Sequence, residues 1–328
     1  MSTDTASHPL VLGAMMFGTG IDEDASFALL DRFVEGGGVW IDTADSYAFW
    51  ASETGFGGDS ELVLGRWLAA RPGMRERVRI ATKVGGEPTV RGGWPERRRG
   101  LSAAAVCDAF AGSLDRLGID SVDLLWAHQE DRAAAIEETA EAMGEIAASG
   151  AAARIGISNH PAWRVERARA HAAARGLPAF DALQLNATYL RPRPGAFPAG
   201  LVHPFGILSD EQRDLAAEEG LEIWAYTPLL TGAYDNPSKP IPEVYDHPGS
   251  TARLAVLGAA ADALGLQRGQ VVLAWLAAHG IRPMLGASKL DQLDLALEGA
   301  AFALPSEWLE RLDAIDRPTG MSPPLARA

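Results

Sequence analysis

The sequence has little cysteine and little lysine. Its 328 residues include one cysteine, Cys107, and three lysines, Lys83, Lys239 and Lys289, against 26 arginines. A lone cysteine excludes an intramolecular disulfide, and its position in the segment VCDAFAGSL indicates packing of a helix face into the core rather than a nucleophile. Arginine stays charged, whereas the proton affinity of lysine can be tuned, so a lysine at a strand end suggests chemistry.

Long apolar runs and basic charge are also missing. No stretch approaches the roughly 20 apolar residues of a membrane span, and the first nine residues have neither the basic nor the apolar part of a secretory signal. We therefore expect a soluble, cytoplasmic protein. The net charge is −14, and the basic cluster Arg97 to Arg99 is interpreted as a solvated loop, so nucleic-acid binding is not expected.

Several motifs of other enzyme classes are absent. The chain has no Gly-x-Gly-x-x-Gly fingerprint and no Gly-Lys pair of a P-loop. It also lacks the motifs of zinc proteases, of serine nucleophile elbows and of Cys/His metal sites. No metal site is therefore predicted.

The sequence does contain strand-like and helix-like segments that alternate from end to end. Phe27, Leu30 and Val34 share one face of the first predicted helix, and Ser102 suits the N-cap of another. Further helices are predicted near 60–70, 133–148, 209–219 and 251–279, and one more with Pro161 in its first turn. Eight strands are predicted, in the segments VLGAMMF, VWIDTA, VRIATKV, VDLLWAH, ARIGISN, DALQLNA, LEIWAYTPL and RPMLGAS.

Strands that are separated by helices run parallel, and eight such units close most naturally into an α/β fold, the (β/α)₈ TIM barrel. A doubly wound sheet is the alternative, but it would normally carry the missing dinucleotide fingerprint. We predict one domain over 1–328, with the ordered barrel at about 9–316 and a loosely held tail at 317–328. The segment 190–206 and the aromatic loop with Phe49, Trp50 and Phe56 are predicted to cover the C-terminal face as substrate loops.

Four residues at predicted strand ends, Asp42, Tyr47, Lys83 and His128, form a proton-donating set. Reduction of a carbonyl by hydride leaves an alkoxide that needs a proton, and a phenol can supply it. We expect the ammonium of Lys83 to lower the pKa of Tyr47, and Asp42 to hold that ammonium in place. His128 would orient the substrate oxygen together with Tyr47. Singly, each residue is as well explained by a turn, a cap or a structural histidine.

On these residues the chain resembles the aldo-keto reductase family over nearly its whole length. The matching segments occur in family order: Asp-Thr-Ala-x-x-Tyr at 42–47, Thr-Lys at 82–83, His128 followed by Asp131, Gly-Ile-Ser-Asn at 156–159, Gln184, Tyr226-Thr-Pro-Leu and Gly286-Ala-Ser-Lys. The resemblance implies a catalytic tetrad of Asp42, Tyr47, Lys83 and His128, with Tyr47 as general acid. It implies a reduced nicotinamide as hydride donor and a small-molecule carbonyl as substrate.

The resemblance also implies the cofactor contacts. Ser158, Asn159 and Gln184 would hold the carboxamide, because an amide needs both donors and acceptors. Tyr226 would stack on the nicotinamide ring; the alternative interpretation is that Tyr226 is an aromatic residue of the core. The full implied set is Gly13, Met15, Asp42, Ser158, Asn159, Gln184, Tyr226, Thr227, Leu229, Gly286, Ser288, Lys289 and Gln292.

The segment from Gly286 to Lys289 precedes what is predicted to be the last helix. Free amides at a helix start attract anions, and Lys289 adds charge, which favours NADP(H) over NAD(H). Ser288 and Asp291 could form a capping box, either alone or together with the anion site. The chain departs from the family at two places: many members have a Glu-Asn pair where it has Leu295 and Ala296, and some have an arginine where it has Gln292. These departures put the adenine contacts and the cofactor preference in doubt.

Two other functions are compatible with a barrel fold. A barrel glycosidase needs two carboxylates that face the scissile bond, and the strand ends offer no well-placed pair. A cofactor-binding, redox-sensing regulatory subunit with little turnover would keep the barrel and the cofactor, and the intact tetrad argues against it. The sequence predicts neither the physiological substrate nor the oligomeric state.

Overall fold

Eight parallel strands form the centre of the molecule. They are β1 (Val11–Gly13), β2 (Trp40–Asp42), β3 (Arg79–Val84), β4 (Leu124–Ala127), β5 (Ile155–Ser158), β6 (Ala182–Asn186), β7 (Glu222–Tyr226) and β8 (Ile281–Leu285). Each strand pairs with the next along the chain, and β8 pairs with β1 to close the barrel. The computed structural model describes residues 7–198, 201 and 203–316. The predicted (β/α)₈ TIM barrel is confirmed.

Helices surround the strands. Those within the described residues are α1 (Glu23–Glu35), α2 (Asp59–Ala69), α3 (Ala103–Leu117), α4 (Ile136–Ala148), α5 (Ala162–Ala174), α6 (Asp210–Glu219), α7 (Pro248–Leu264), α8 (Arg268–Ala278), α9 (Leu290–Ala301) and α10 (Ser306–Asp313). The region predicted as one helix at 251–279 is two helices, because Gly265 ends α7 with a left-handed φ of 67°. The helix after Gly286 is also not the last, since α10 follows it.

Helix starts follow local side-chain chemistry. Ser102 is the N-cap of α3 and accepts from the amide of Ala105, as predicted. Pro161 is the N-cap of α5 and not a residue of its first turn, and α4 begins at Ile136 rather than at 133. The predicted tail, 317–328, lies outside the described residues.

Cys107 lies on a face of α3 that points away from the barrel. Val106, Phe110 and Leu117 are buried against the barrel, whereas Cys107 is exposed. The prediction that this cysteine packs into the core is therefore wrong, because one residue beyond Val106 the helix has turned by about 100°. Of the helices in the described part of the chain, none has both the length and the apolar character that crossing a bilayer requires.

Tryptophans fill the interior of the barrel below its C-terminal face. The ring of Trp224 packs edge-to-face against Trp40, with centroids 5.1 Å apart, and against Trp126 at 5.2 Å. Trp126 is opposite Gly156 in the β4–β5 register, and a Cβ atom at residue 156 would overlap its ring. The glycine of the Gly-Ile-Ser-Asn segment thus provides the space for a large side chain directly beneath the site.

Candidate active site

A cleft of about 1080 Å³ opens at the C-terminal ends of the strands. Asp42 and Lys83 lie beneath it and are fully buried. Lys289 is exposed at the start of α9, just outside the cleft lining. The other predicted site residues line the cleft: Gly13, Met15, Tyr47, His128, Ser158, Asn159, Gln184, Tyr226, Thr227, Leu229, Gly286, Ser288 and Gln292.

The ammonium of Lys83 is the centre of the predicted tetrad. It donates to Oδ2 of Asp42, to the backbone oxygen of Thr43 at 2.8 Å and to the hydroxyl oxygen of Tyr47 at 2.7 Å. An ammonium has three donors and no acceptor, so these three bonds use all its capacity. The hydroxyl of Tyr47 must accept from Lys83, and its own hydrogen remains available for a group in the cleft.

The pKa of Tyr47 differs from the expectation. Burial raises it well above its ordinary value, and the negative charge of Asp42 adds to the shift. The net shift is opposite to the lowered pKa that we expect beside an ammonium, because burial favours the neutral phenol and the charge of Asp42 opposes the phenolate. Tyr47 consequently carries its proton at neutral pH.

The pair beneath Tyr47 is isolated from water. Burial raises the pKa of Asp42, and burial lowers the pKa of Lys83, while the attraction between the two charges opposes both shifts. The second carboxylate oxygen of Asp42 accepts from the side-chain amide of Gln184 at 3.1 Å. Gln184 therefore positions Asp42 from across the barrel and keeps its own oxygen for the cleft.

His128 lies against Tyr47 at the cleft wall. The two rings meet edge-to-face with 5.8 Å between centroids, and Nδ1 of His128 is 3.4 Å from the hydroxyl of Ser46. Burial lowers the pKa of His128 well below its ordinary value, and the charges of Lys83 and Arg98 lower it further. The imidazole is thus neutral at neutral pH, with one ring N–H to donate.

Asn159 connects three strand ends beside His128. Its amide donates to the backbone oxygen of His128 and to the hydroxyl of Ser158, both at 3.0 Å, and accepts from the hydroxyl of Tyr226 at 2.7 Å. Its left-handed φ of 61° is a strained value for a residue other than glycine. The amide hydrogens of Asn159 are committed within the protein, so Ser158 and Gln184 offer the more available polar atoms.

The start of α9 forms the far end of the cleft. Its N-cap residue, Lys289, makes no side-chain capping bond. Ser288 donates through its hydroxyl to the side-chain oxygen of Gln292 at 3.2 Å, so the alternative capping box between Ser288 and Asp291 is not formed. Leu295 and Ala296 also line this end, which is consistent with an apolar surface where the family pattern has a Glu-Asn pair.

Three acidic residues lie buried behind Tyr47. Burial raises the pKa of Asp45 to about 8, and the charges of Glu61 and Glu87 add to the shift. Glu61 accepts from Arg116 at 2.7 Å, whereas one carboxylate oxygen of Asp45 has no partner within the described residues. Among those residues no group of three or more histidine, cysteine or acidic side chains could hold a metal ion.

Several residues that line the cleft are not among the predicted site residues. Trp94, Met16 and Gln129 line the cleft beside the tetrad, and Gln270 and Leu273 of α8 line its far end. None belongs to a motif, although a tryptophan before a proline at 94–95 was visible as a loop signal. Of the two predicted substrate loops, the first contributes Pro198 and Leu201, and the second contributes Phe49 and Trp50 but not Phe56.

Comparison with known proteins agrees with this geometry. The model of the Aldo/keto reductase family matches residues 9–317. The chain therefore belongs to the aldo/keto reductase family, as the resemblance indicated. It is an oxidoreductase whose general chemistry is carbonyl reduction.

Three relatives illustrate the range of the similarity. The chain is 28% identical to the oxidoreductase YrpG of Bacillus subtilis (strain 168), over 96% of this chain and 94% of that protein. It is 31% identical to norsolorinic acid reductase B of Aspergillus parasiticus, over 93% of this chain and 80% of that protein. An aryl-alcohol dehydrogenase of Pestalotiopsis microspora is 28% identical, over 95% of this chain and 79% of that protein.

Proposed function

We propose that the protein reduces an aromatic aldehyde or ketone to the alcohol with NADPH as the reductant, and that Tyr47 is the general acid. The observation that carries the proposal is the bond from Lys83 to Tyr47, which leaves the phenol hydrogen as the available donor beside the cleft. The names of two relatives, a norsolorinic acid reductase and an aryl-alcohol dehydrogenase, support an aromatic substrate. The cytoplasmic location stays a prediction from the sequence.

Each tetrad residue has a separate role in proton transfer to the substrate oxygen. Tyr47 and the neutral His128 would both donate to the substrate oxygen, which holds the carbonyl carbon toward the nicotinamide side of the cleft. As negative charge develops on that oxygen, the hydroxyl of Tyr47 gives up its proton. Lys83, which donates to Tyr47 at 2.7 Å, stabilises the resulting phenolate, and Asp42 keeps Lys83 in place.

The residues of the cleft suit a nicotinamide dinucleotide, which supplies hydride when bound. The cleft is slightly larger than the usual ligand pocket, so it has room for an extended cofactor and a substrate together. The hydroxyl of Ser158 and the side-chain oxygen of Gln184 are suited to the carboxamide, and the face of Tyr226 to the ring. The exposed Lys289 at the uncapped start of α9 favours a 2′-phosphate, and hence NADP(H).

Replacement of Tyr47 by Phe tests the proposal. We expect kcat to fall by a factor of about 10² to 10⁴, the usual contribution of a general acid, while the affinity for NADPH stays nearly unchanged. Turnover is followed by oxidation of NADPH with benzaldehyde as substrate, and cofactor affinity by fluorescence titration. Wild-type turnover in Tyr47→Phe would remove Tyr47 from this role.

The competing hypothesis is a regulatory subunit that binds the cofactor with little turnover. It predicts that the wild-type protein binds NADPH and yet oxidises none across a broad panel of carbonyl compounds. The donor geometry at Tyr47 favours turnover.

A further inference from the structure

We propose that Ser46 is a positioning residue for the reaction: its hydroxyl donates to Nδ1 of His128 and so keeps the hydrogen of the imidazole on Nε2. The inference rests on the proposed carbonyl reduction and adds a residue that acts through His128. A neutral imidazole can donate to a carbonyl oxygen only from the ring nitrogen that carries the hydrogen. The choice between the two ring nitrogens therefore decides whether His128 assists the reaction.

The two ring nitrogens of His128 have different surroundings. Nδ1 lies 3.4 Å from the hydroxyl oxygen of Ser46. Nε2 has no hydrogen-bond partner within the described residues, and it is not one of the unpartnered atoms there that are closed off from solvent. Since His128 lines the cleft, Nε2 is the ring nitrogen that a substrate can reach.

The direction of the bond between Ser46 and His128 follows from the hydrogens available. With the ring hydrogen on Nε2, the hydroxyl of Ser46 donates to the lone pair of Nδ1, and both groups have a partner. In the reverse arrangement Nδ1 donates, and the hydroxyl hydrogen of the buried Ser46 has no other acceptor within the described residues. Leaving a buried donor without an acceptor is unfavourable, so the first arrangement is preferred. At 3.4 Å the bond is long, and we expect it to bias the tautomer by a modest factor.

The surrounding backbone keeps His128 and Ser46 within reach of each other. The backbone amide of His128 donates to the backbone oxygen of Val84 at 3.0 Å, and its backbone oxygen accepts from the side chain of Asn159 at 3.0 Å. Gly86 lies beside the contact, and a Cβ atom at residue 86 would be 2.7 Å from both Nδ1 of His128 and the hydroxyl oxygen of Ser46. A larger residue at 86 would therefore displace one of the two groups, whereas glycine leaves room for both.

Nitrogen NMR of the histidine rings tests the inference without turnover. The full-length protein is produced with ¹⁵N-labelled histidine, and the ring signals of His128 are assigned by their loss in His128→Asn. In the wild type at neutral pH we expect Nε2 to give the signal of a nitrogen that carries a hydrogen, and Nδ1 that of a nitrogen without one. In Ser46→Ala the ratio of the form with the hydrogen on Nδ1 to the form with it on Nε2 should rise about threefold to tenfold, because one neutral hydrogen bond is lost.

Kinetics with benzaldehyde measure the effect of the tautomer on the reaction. Ser46→Ala should lower kcat about threefold to tenfold and leave the KM for NADPH within about twofold, since Ser46 acts through a group that contacts the substrate. Ser46→Thr keeps a hydroxyl and should restore most of the kcat and the wild-type ring signals. Ser52→Ala is the matched control, because Ser52 lies on the same loop after β2 and does not line the cleft, and it should change neither measurement.

The outcomes distinguish this inference from the proposed function. A ring hydrogen on Nδ1 in the wild type, or unchanged ring signals in Ser46→Ala, would overturn the role of Ser46 even if reduction proceeds. A fall in kcat of Ser46→Ala with wild-type ring signals would overturn it as well, because the effect would then not pass through the tautomer. A hydrogen on Nε2 that depends on Ser46, in a protein that reduces no carbonyl compound, would support the role of Ser46 and overturn the proposed reaction instead.

Discussion

The buried pair of Lys83 and Asp42 leads to a prediction about stability that does not depend on catalysis. We consider three variants, Lys83→Met, Asp42→Asn and the double variant that carries both changes. Methionine and asparagine nearly preserve the volume of the original side chains, so each single variant removes one charge and leaves the other in the barrel interior. The double variant removes both charges.

The magnitude follows from the contacts of each charge. In Lys83→Met, the carboxylate of Asp42 keeps the amide of Gln184 as a donor but loses the opposite charge that was in contact with it. In Asp42→Asn, the ammonium of Lys83 keeps the oxygens of Thr43 and Tyr47 but no opposite charge in contact. Breaking a buried pair on one side costs about 3 to 5 kcal/mol of the free energy of unfolding, whereas replacing both partners is often neutral. The double variant should therefore be more stable than either single one.

The pH dependence gives each single variant a signature. Burial raises the pKa of Asp42, so in Lys83→Met this residue contributes stability at low pH that is lost as pH rises through its folded pKa. Burial lowers the pKa of Lys83, so in Asp42→Asn the stability is greatest at high pH and is lost as pH falls. Relative to the double variant, the two single variants should have slopes of opposite sign.

Urea denaturation between pH 5 and 9, followed by tryptophan fluorescence, measures all three variants. The double variant serves as the reference because it retains neither ionisable group. Strictly additive losses, with the double variant the least stable of the three, would refute the reasoning. Slopes of the same sign in both single variants would refute it as well.

Three further predictions concern other parts of the chain. Lys289→Ala should weaken NADPH binding about tenfold and NADH binding much less, measured by fluorescence titration, since an exposed cation acts on the extra phosphate; equal losses would contradict that contact. Gly156→Ala should lower the free energy of unfolding in urea by about 1 to 3 kcal/mol, and Trp126→Leu should relieve much of that loss; no relief would mean that the overlap with Trp126 is not the cause. Asp45→Asn should stabilise the protein most above pH 8. Because the pKa of Asp45 is raised to about 8, the wild-type protein loses stability as pH rises toward that value. A pH-independent effect on the free energy of unfolding would argue against a buried acid.

Much of the barrel could be predicted because the segments that predict the strands also carry the predicted site residues. Most predicted strands end in polar residues that the closed barrel brings to one face, as with Asp42 and Lys83 in neighbouring strands. The division of the region 251–279 was also encoded, since Gly265 is a helix-ending signal. Cys107 was misplaced although the buried stripe of Val106 and Phe110 already put it on the next face.

Other features depend on three-dimensional proximity and left no local signal. The bond between Gln184 and Asp42 joins β6 to β2 across the barrel, and no spacing along the chain indicates it. The pKa of Tyr47 rises because of burial, which a motif does not reveal. The partnership of Trp94 with Phe49 was hidden for the same reason, since the two loops meet only in the folded protein.

The fit between Gly156 and Trp126 also constrains how this chain could diverge. A lineage that acquires any larger residue at 156 must first, or at the same time, accept a smaller one at 126, because the reverse order passes through an overpacked intermediate. The residues at 126 and 156 should therefore change as a pair. The order of their substitutions would show whether the glycine in β5 or the tryptophan in β4 came first.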